Sequence, residues 1–504
     1  MIELGLQRIL SLLAKSPLPW RAIHVAGTNG KGSICHYISA MLEVYNHSLY
    51  RKDRQRMPLK HARFTSPHLV DRWDCITIDQ QTVSVKLFDH VEKQVLRRNE
   101  HEGIGASEFE LLTATAFEIF THEEVDVGVV EVGMGGRLDA TNVIGQFVAP
   151  ESLGEIDPAK FRPPPLVTAI SKLGLDHQAF LGNTLEEIAR EKAGIMKPNV
   201  PVVWDTSNSA AVINVLKSIA ANNRVVDPGG DEMPGALLAI PLNVSPPVVD
   251  LLVGNPARNG KPIPLQHQRM NLDVAFRSTW TALQELKLLP AQRPQVMSSA
   301  WTEFMLLAYA MVADTAFTET SYAGRLHDLD ISTLMGHQRR ILLDGAHNMQ
   351  SAEVLANYVE RVRRDDAKSK VKRLSHNFQN RPAVTWVVAA SDTKDTEALL
   401  KPLLCDGDIV LIVEFGPVAG MPWVRPMTAE SLAETARTVA DVKVEAYGSD
   451  IMSALTVASE TAAPDHMIVV TGSLYLVGDV LRLLKERTGK KPVFVKKQDA
   501  LSPI

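Results

Sequence analysis

Short apolar runs alternate with longer stretches of helical spacing along most of this chain. The runs 22–26, 127–130 and 167–170 are brief and largely β-branched, which predicts buried strands. Residues 34–42 keep a helical pattern, and 107–120 sets Phe109, Leu112, Ala116, Phe117 and Phe120 on one helical stripe. Another helix is expected from near Thr184, where Glu187 completes a capping-box pattern. Residues 1–15 place Ile2, Leu6, Ile9, Leu10 and Leu13 at helical spacing and predict an amphipathic helix. Strands alternating with helices predict an open parallel sheet, and each of the three strands is followed by a polar loop. Ligands bind outside the carboxyl ends of such strands, so the three loops are expected to converge on one site.

Farther along, 145–165 and 228–264 are rich in Gly and Pro and read as loop insertions. His267-Gln268-Arg269-Met270-Asn271 opens a helical stretch, and the pattern breaks near 318–324. A second alternation follows, with strands expected at 340–343, 384–389, 409–413 and 467–470 and helices that include 351–362 and 452–461. The boundary therefore divides a first domain, 1–322, from a smaller parallel α/β domain, 323–504. The latter has no G-x-G-x-x-G and is not read as dinucleotide-binding.

Composition narrows the classes. With 45% apolar and 22% charged residues, the 504-residue chain is ordinary globular protein. Its net charge of −5, with both signs spread throughout, favours neither nucleic acid nor an anionic membrane as partner. Three scattered cysteines suit neither a disulfide framework nor a zinc site and point to a reducing, cytoplasmic compartment. No apolar run reaches membrane-spanning length.

The chemistry sits in the loops. Gly27-Thr28-Asn29-Gly30-Lys31-Gly32-Ser33 lies between strand and helix; glycines free backbone N–H groups to face an anion, the helix adds its positive end, and Lys31 adds a charge. Its spacing departs from the usual G-x-x-x-x-G-K-[ST] P-loop, since Val25 and Gly32 stand where Gly and Ser or Thr are expected. Glu131 ends a strand, where it either holds Mg²⁺ beside a phosphate or caps the loop that follows. His177 is either a further ligand or a hydrogen-bonding loop residue. Ser66 in Thr65-Ser66-Pro67-His68 is by default a turn serine, and Lys192 a lysine complementing a helix end. Asp344 and Asn348 suit helix capping; with Arg325 they suggest instead a second domain closing over a nucleotide, with ligands in the interdomain cleft.

Taken together, the phosphate loop, Thr65 to His68, Phe109-Glu110, Glu131 through Asn142, Leu175-Asp176-His177, Glu191 to Gly194, His267-Gln268 with Asn271, Gly324-Arg325 and Asp344 to Asn348 resemble the folylpolyglutamate synthase and dihydrofolate synthase family of the Mur ligase superfamily. The series runs in family order over nearly the whole chain, and the odd phosphate-loop spacing is the family's form. The resemblance implies a P-loop ATPase domain that binds ATP and pteroate, followed by a smaller Rossmann-like glutamate ligase domain. It implies ATP-dependent joining of L-glutamate to 7,8-dihydropteroate, giving 7,8-dihydrofolate, ADP and phosphate through an acyl phosphate. Extension of a folate glutamate tail, alone or as a second activity, is the enzymatic alternative, and an ATP-binding scaffold the non-enzymatic one.

Carried over by position, Gly27 to Ser33 with Asn271, Arg325 and Asp344 are implied to bind ATP. Ser66, Glu131, His177 and Lys192 are implied as metal ligands for Mg²⁺, the last by carbamylation toward a second ion. Ser107, Glu108, Phe109 and Glu110 with Leu138, Asp139 and Ala140 match pteroate-binding segments. Lys31, Glu131, His177, Lys192 and His347 are the catalytic candidates. Asn29, Phe109-Glu110 and Arg137-Leu138-Asp139, with Phe415-Gly416-Pro417 and Gly420-Met421-Pro422-Trp423, resemble the dihydropteroate-using side of the family. A monomer is expected. Trp73-Asp74-Cys75 departs from the basic segment found in many relatives.

Overall fold

A computed structural model of the chain describes residues 5–146, 162–222, 266–289, 323–371, 383–463 and 466–489. The expected insertion at 228–264 and most of that at 145–165 lie outside the described residues. The chain divides into two compact units, Met1–His68 with Trp73–Thr318, and Leu69–Arg72 with Glu319–Ile504.

The first unit holds a seven-stranded sheet in the order β4-β3-β2-β5-β1-β6-β7. Its strands are β1 Arg21–Ala26, β2 His61–Phe64, β3 Ile76–Ile78, β4 Gln81–Thr82, β5 Val127–Glu131, β6 Val167–Ile170 and β7 Val202–Trp204. β1 pairs in parallel with β5 on one side and β6 on the other. The three strands expected from sequence are thus adjacent, and their carboxyl ends share one edge. The sheet is covered on both sides, which is why these strands read as unbroken apolar runs. On one side Ile23, Val25 and Val129 pack with Ile34, Ile38 and Leu42 of the Lys31–His47 helix and with Leu272 and Phe276 of the Gln266–Glu285 helix. On the other, Ala22, Phe64 and Val130 meet Leu112, Phe117 and Phe120 of the Glu108–His122 helix. That helix starts at Ser107 with a capping box to Glu110, and the Leu185–Ala193 helix starts at Thr184 with its box to Glu187.

The expected N-terminal helix needs correction. The N-terminal helix is Gln7–Leu12, far shorter than 1–15, and residues 1–4 lie outside the described region. Residues 51–61 are strongly basic in sequence, yet they are not simply a solvated surface. Arg51 Nε donates to Asn46 O at 2.6 Å and Arg56 reaches Leu288 O, so both guanidiniums serve backbone carbonyls. Strand β2, which begins within that segment, went unread because its sequence, His-Ala-Arg-Phe, is half polar. His61 and Arg63 are nonetheless buried, meeting Glu43, Ser39 and His36 on the facing helix. A polar helix face satisfied them, and hydropathy could not register it.

The second unit holds a six-stranded sheet, β12-β11-β10-β13-β9-β8, made of β8 His327–Asp330, β9 Arg340–Leu343, β10 Thr385–Val388, β11 Ile409–Ile412, β12 Lys443–Ala446 and β13 Ile468–Thr471. Its four central strands fall where the apolar runs placed them. The sheet is not wholly parallel, because β8 runs antiparallel to β9 at one edge. β8 and β12 escaped the sequence reading because edge strands alternate with charge and show no continuous apolar run.

Candidate active site

Three polar loops meet at the carboxyl edge of the first sheet. Gly27 has φ +151°, and a Cβ on it would lie 1.7 Å from Ser171 Oγ, so no side chain fits. Thr28 and Asn29 donate their backbone N–H groups to Lys172 O at 3.0 and 3.1 Å, which ties the phosphate loop to the loop after β6. Thr28 Oγ1 also donates to Gly174 O and accepts from Gly174 N, both at 3.1 Å. Gly30 turns at φ +90° into the helix, and a Cβ there would meet Asn271 Oδ1 at 2.3 Å. The fold therefore brings buried Asn271, from a helix some 240 residues away in sequence, onto the phosphate loop. Lys31 Nζ donates to Thr28 O at 3.2 Å, and Gly32 and Ser33 form the helix's first turn.

Glu131 ends β5 at the level of Val25 on β1. It is buried, and its Oε2 accepts from Ser66 N at 3.2 Å, so two candidate metal ligands are neighbours. Carboxylate, hydroxyl and phosphate oxygens beside a lysine form a donor set suited to Mg²⁺. Among the described residues no three His, Cys, Asp or Glu side chains cluster as a metal site, so an ion there would lean on phosphate and water oxygens. His177 stands at the end of the β6 loop in the left-handed region, φ +52°, largely exposed and 3.9 Å from Asp176 Oδ2.

Lys192, in the last turn of the Leu185–Ala193 helix, does not reach solvent as a dipole-complementing lysine would. It is 3% exposed, and its Nζ donates to Gly27 O at 2.8 Å. Burial, reinforced by the Lys31 charge and opposed by Asp176 and Asp139, brings its pKa down to about 7. The glycine loop packs against the same helix end. Arg137 N donates to Glu191 O, its guanidinium pairs with the Glu191 carboxylate at 3.0 Å, and a Cβ on Gly136 would lie 2.7 Å from Lys192 O.

Of the pteroate-segment candidates, Ser107 is the helix N-cap and Glu108 opens the first turn. Glu110 is buried, accepting from Ser107 N and from Arg8 Nε at 3.0 Å, which gives it a structural task. Phe109 stacks on Phe64 with centroids 6.3 Å apart and faces Gly133 closely enough that a Cβ there would meet the ring at 2.4 Å. Leu138 is half-buried, while Asp139 and Ala140 are buried. Asp139 Oδ2 accepts from Met134 N at 2.8 Å and Oδ1 from Thr141 N at 3.0 Å; burial raises its pKa despite these bonds. Sequence reasoning missed His24 and Thr141, which join this carboxylate to β1; the available signal was a histidine inside an otherwise apolar strand.

In the second unit, Asp344 follows β9 and is buried, accepting from Leu326 N and Ala346 N, each at 2.8 Å. Burial raises its pKa, with Arg325 opposing. His347 Nδ1 donates to Gly345 O at 2.9 Å. Asn348 Oδ1 accepts from Ser351 N as a helix cap. No helix of the described residues is long and apolar enough to cross a membrane.

A glycine-rich loop of phosphate-binding type after β1, a buried carboxylate at the end of the adjacent β5 and a second unit built on a mostly parallel sheet define a two-domain α/β protein. The chain belongs to the dihydrofolate synthetase family. Residues 327–483 match the model "Dihydrofolate synthetase, C-terminal domain". The chain is 36% identical to the probable dihydrofolate synthetase of Schizosaccharomyces pombe, over 96% of this chain and 99% of that one. It is 33% identical to the dihydrofolate synthetase of Saccharomyces cerevisiae, over 96% and 98%. Among solved structures it is similar to Mycobacterium tuberculosis folylpolyglutamate synthase complexed with ADP and AMPPCP, at TM-score 0.63 and 24% identity over 95% of each chain. E. coli FolC in complex with DHPP and ADP has the same TM-score, 0.63, at 21% identity over 96% of this chain and 94% of that one.

Proposed function

We propose that this chain is a dihydrofolate synthase, using ATP to join the amino group of L-glutamate to the carboxylate of 7,8-dihydropteroate. Support comes above all from the Gly27–Ser33 loop beside buried Glu131, in a chain aligned end to end with relatives named dihydrofolate synthetase. Gly27 to Ser33, with Asn271, hold the ATP phosphates. The pteroate carboxylate attacks the γ-phosphorus, the bond to ADP breaks and an acyl phosphate forms, while Lys31 balances the negative charge of the phosphoryl group in transit. The glutamate amine then attacks the acyl carbon, and phosphate leaves. Mg²⁺ held by Glu131 and Ser66, with His177 as a further ligand, neutralises phosphate charge when bound. Lys192, whose pKa near 7 leaves much of it neutral, has the free amine that carbamylation requires, and a carbamate would extend the oxygen donors toward a second ion. Phe109 and Leu138 to Ala140 receive the pteroate, and Arg325, Asp344 and His347 serve the nucleotide. The enzyme is a cytoplasmic monomer.

The test is product mass and ADP release from purified protein given ATP, Mg²⁺ and L-glutamate with either 7,8-dihydropteroate or tetrahydrofolate. Turnover with dihydropteroate alone is expected. Turnover with both would make the enzyme bifunctional, like the Bacillus subtilis relative named for both activities. Turnover with neither would defeat the proposal.

A further inference from the structure

We infer that His24 and Thr141 are positioning residues for the pteroate loop, a buried hydrogen-bond chain that fixes the Asp139 carboxylate against the strand carrying the phosphate loop. The inference rests on reading Leu138 to Ala140 as pteroate-binding.

His24 sits on β1, three residues before Gly27, and is fully buried, as is Thr141. Thr141 Oγ1 lies 2.5 Å from Asp139 Oδ1 and 2.9 Å from His24 Nε2. A carboxylate only accepts, so the threonine hydroxyl donates its single proton to Asp139. The same oxygen must then accept from the histidine, which fixes His24 as the neutral Nε2–H tautomer. Its Nδ1 is buried with no hydrogen-bond partner among the described residues, as a ring without a second proton permits. Asp139 in turn gathers the Met134 and Thr141 N–H groups, one from each end of the glycine loop. The chain thus runs from β1 through Thr141 to Asp139 and on to the loop backbone, and the three side chains along it are buried. Burial makes each bond directional and costly to break. A core histidine with only a packing role would not fix a tautomer or end on the carboxylate that shapes a substrate loop.

Thr141→Val keeps the volume and removes both hydrogen bonds. It should raise KM for dihydropteroate about tenfold or more while KM for ATP stays within about twofold, and Thr141→Ser should restore the parent value. His24→Gln, which can present an N–H near the Nε2 position, should retain dihydropteroate affinity where His24→Leu loses it. Long-range ¹H–¹⁵N correlation on histidine-labelled parent protein should find His24 neutral with the proton on Nε2. A folded Thr141→Val enzyme with unchanged dihydropteroate KM would overturn the inference. So would an Nδ1–H tautomer in the parent, a measurement that stands even where the variants fail to fold. A parent that never uses dihydropteroate defeats the functional reading instead, and the tautomer result still judges the chain.

Discussion

Lys192 Nζ donates a 2.8 Å hydrogen bond to the carbonyl of Gly27, so a buried lysine from one helix end holds the first residue of the phosphate loop. Its desolvated amine titrates near neutrality. Lys192→Ala should therefore cost more than a lost contact, lowering kcat by roughly tenfold to a hundredfold. If the working form is a carbamate, acetate or another short carboxylate should restore part of the rate, and ¹³C-bicarbonate should label the parent at Lys192. Full activity of the folded alanine variant would remove Lys192 from the mechanism.

In the proposed mechanism Lys31 and Glu131 act on the transferring phosphoryl group. Lys31→Ala and Glu131→Ala should each lower kcat by roughly a hundredfold to a thousandfold or more, with an unchanged circular dichroism spectrum. Glu131→Gln should fare little better, since the amide keeps the shape but not the charge. Near-normal turnover by any of the three, once folded, would exclude it from that role.

Gly27 is the position where space and backbone agree. With φ +151° and Ser171 Oγ at 1.7 Å from a notional Cβ, Gly27→Ala must displace either the phosphate loop or the β6 loop. ATP affinity should fall, and the protein should lose on the order of 1–3 kcal/mol of stability. Equilibrium dialysis with ATP and urea unfolding measure the two effects separately.

Buried histidines give the stability a sign with pH. Burial lowers the pKa of His24 to about 3, with Lys197 adding to it, and that of His36 to about 3, with Arg63 adding. Above about 6.5 both rings are neutral whether the chain is folded or not, so they impose no pH dependence. As pH falls below 6.5 the unfolded chain takes up protons that the folded one refuses, and stability declines toward pH 3. Each should contribute a slope approaching roughly 1.4 kcal/mol per pH unit, so the two together remove about 2 kcal/mol between pH 6.5 and 5.5. Stability from urea unfolding across this range should lose about 1 kcal/mol of its pH dependence in His24→Gln; an unchanged slope would show that His24 is not buried as a neutral base.

The sequence by itself determined the central strands, because a strand covered on both faces must be apolar throughout, and it marked the helix start at Thr184 through its capping box. It also marked the loops, because glycines beside a lysine and a strand-end glutamate have few other uses. Tertiary structure decided what hydropathy cannot register. β2 is a strand because His61 and Arg63 find partners on the opposing helix. Glu110, which the resemblance implies as a pteroate contact, is buried and accepts from Ser107 N and Arg8 Nε. Lys192 became a buried amine on the phosphate loop, and His24, passed over as one polar residue in an apolar run, became the root of a chain to Asp139. Local pattern records which residues favour water. Whether a polar group can be buried depends on a partner from another element of the fold, and only the folded chain supplies that partner.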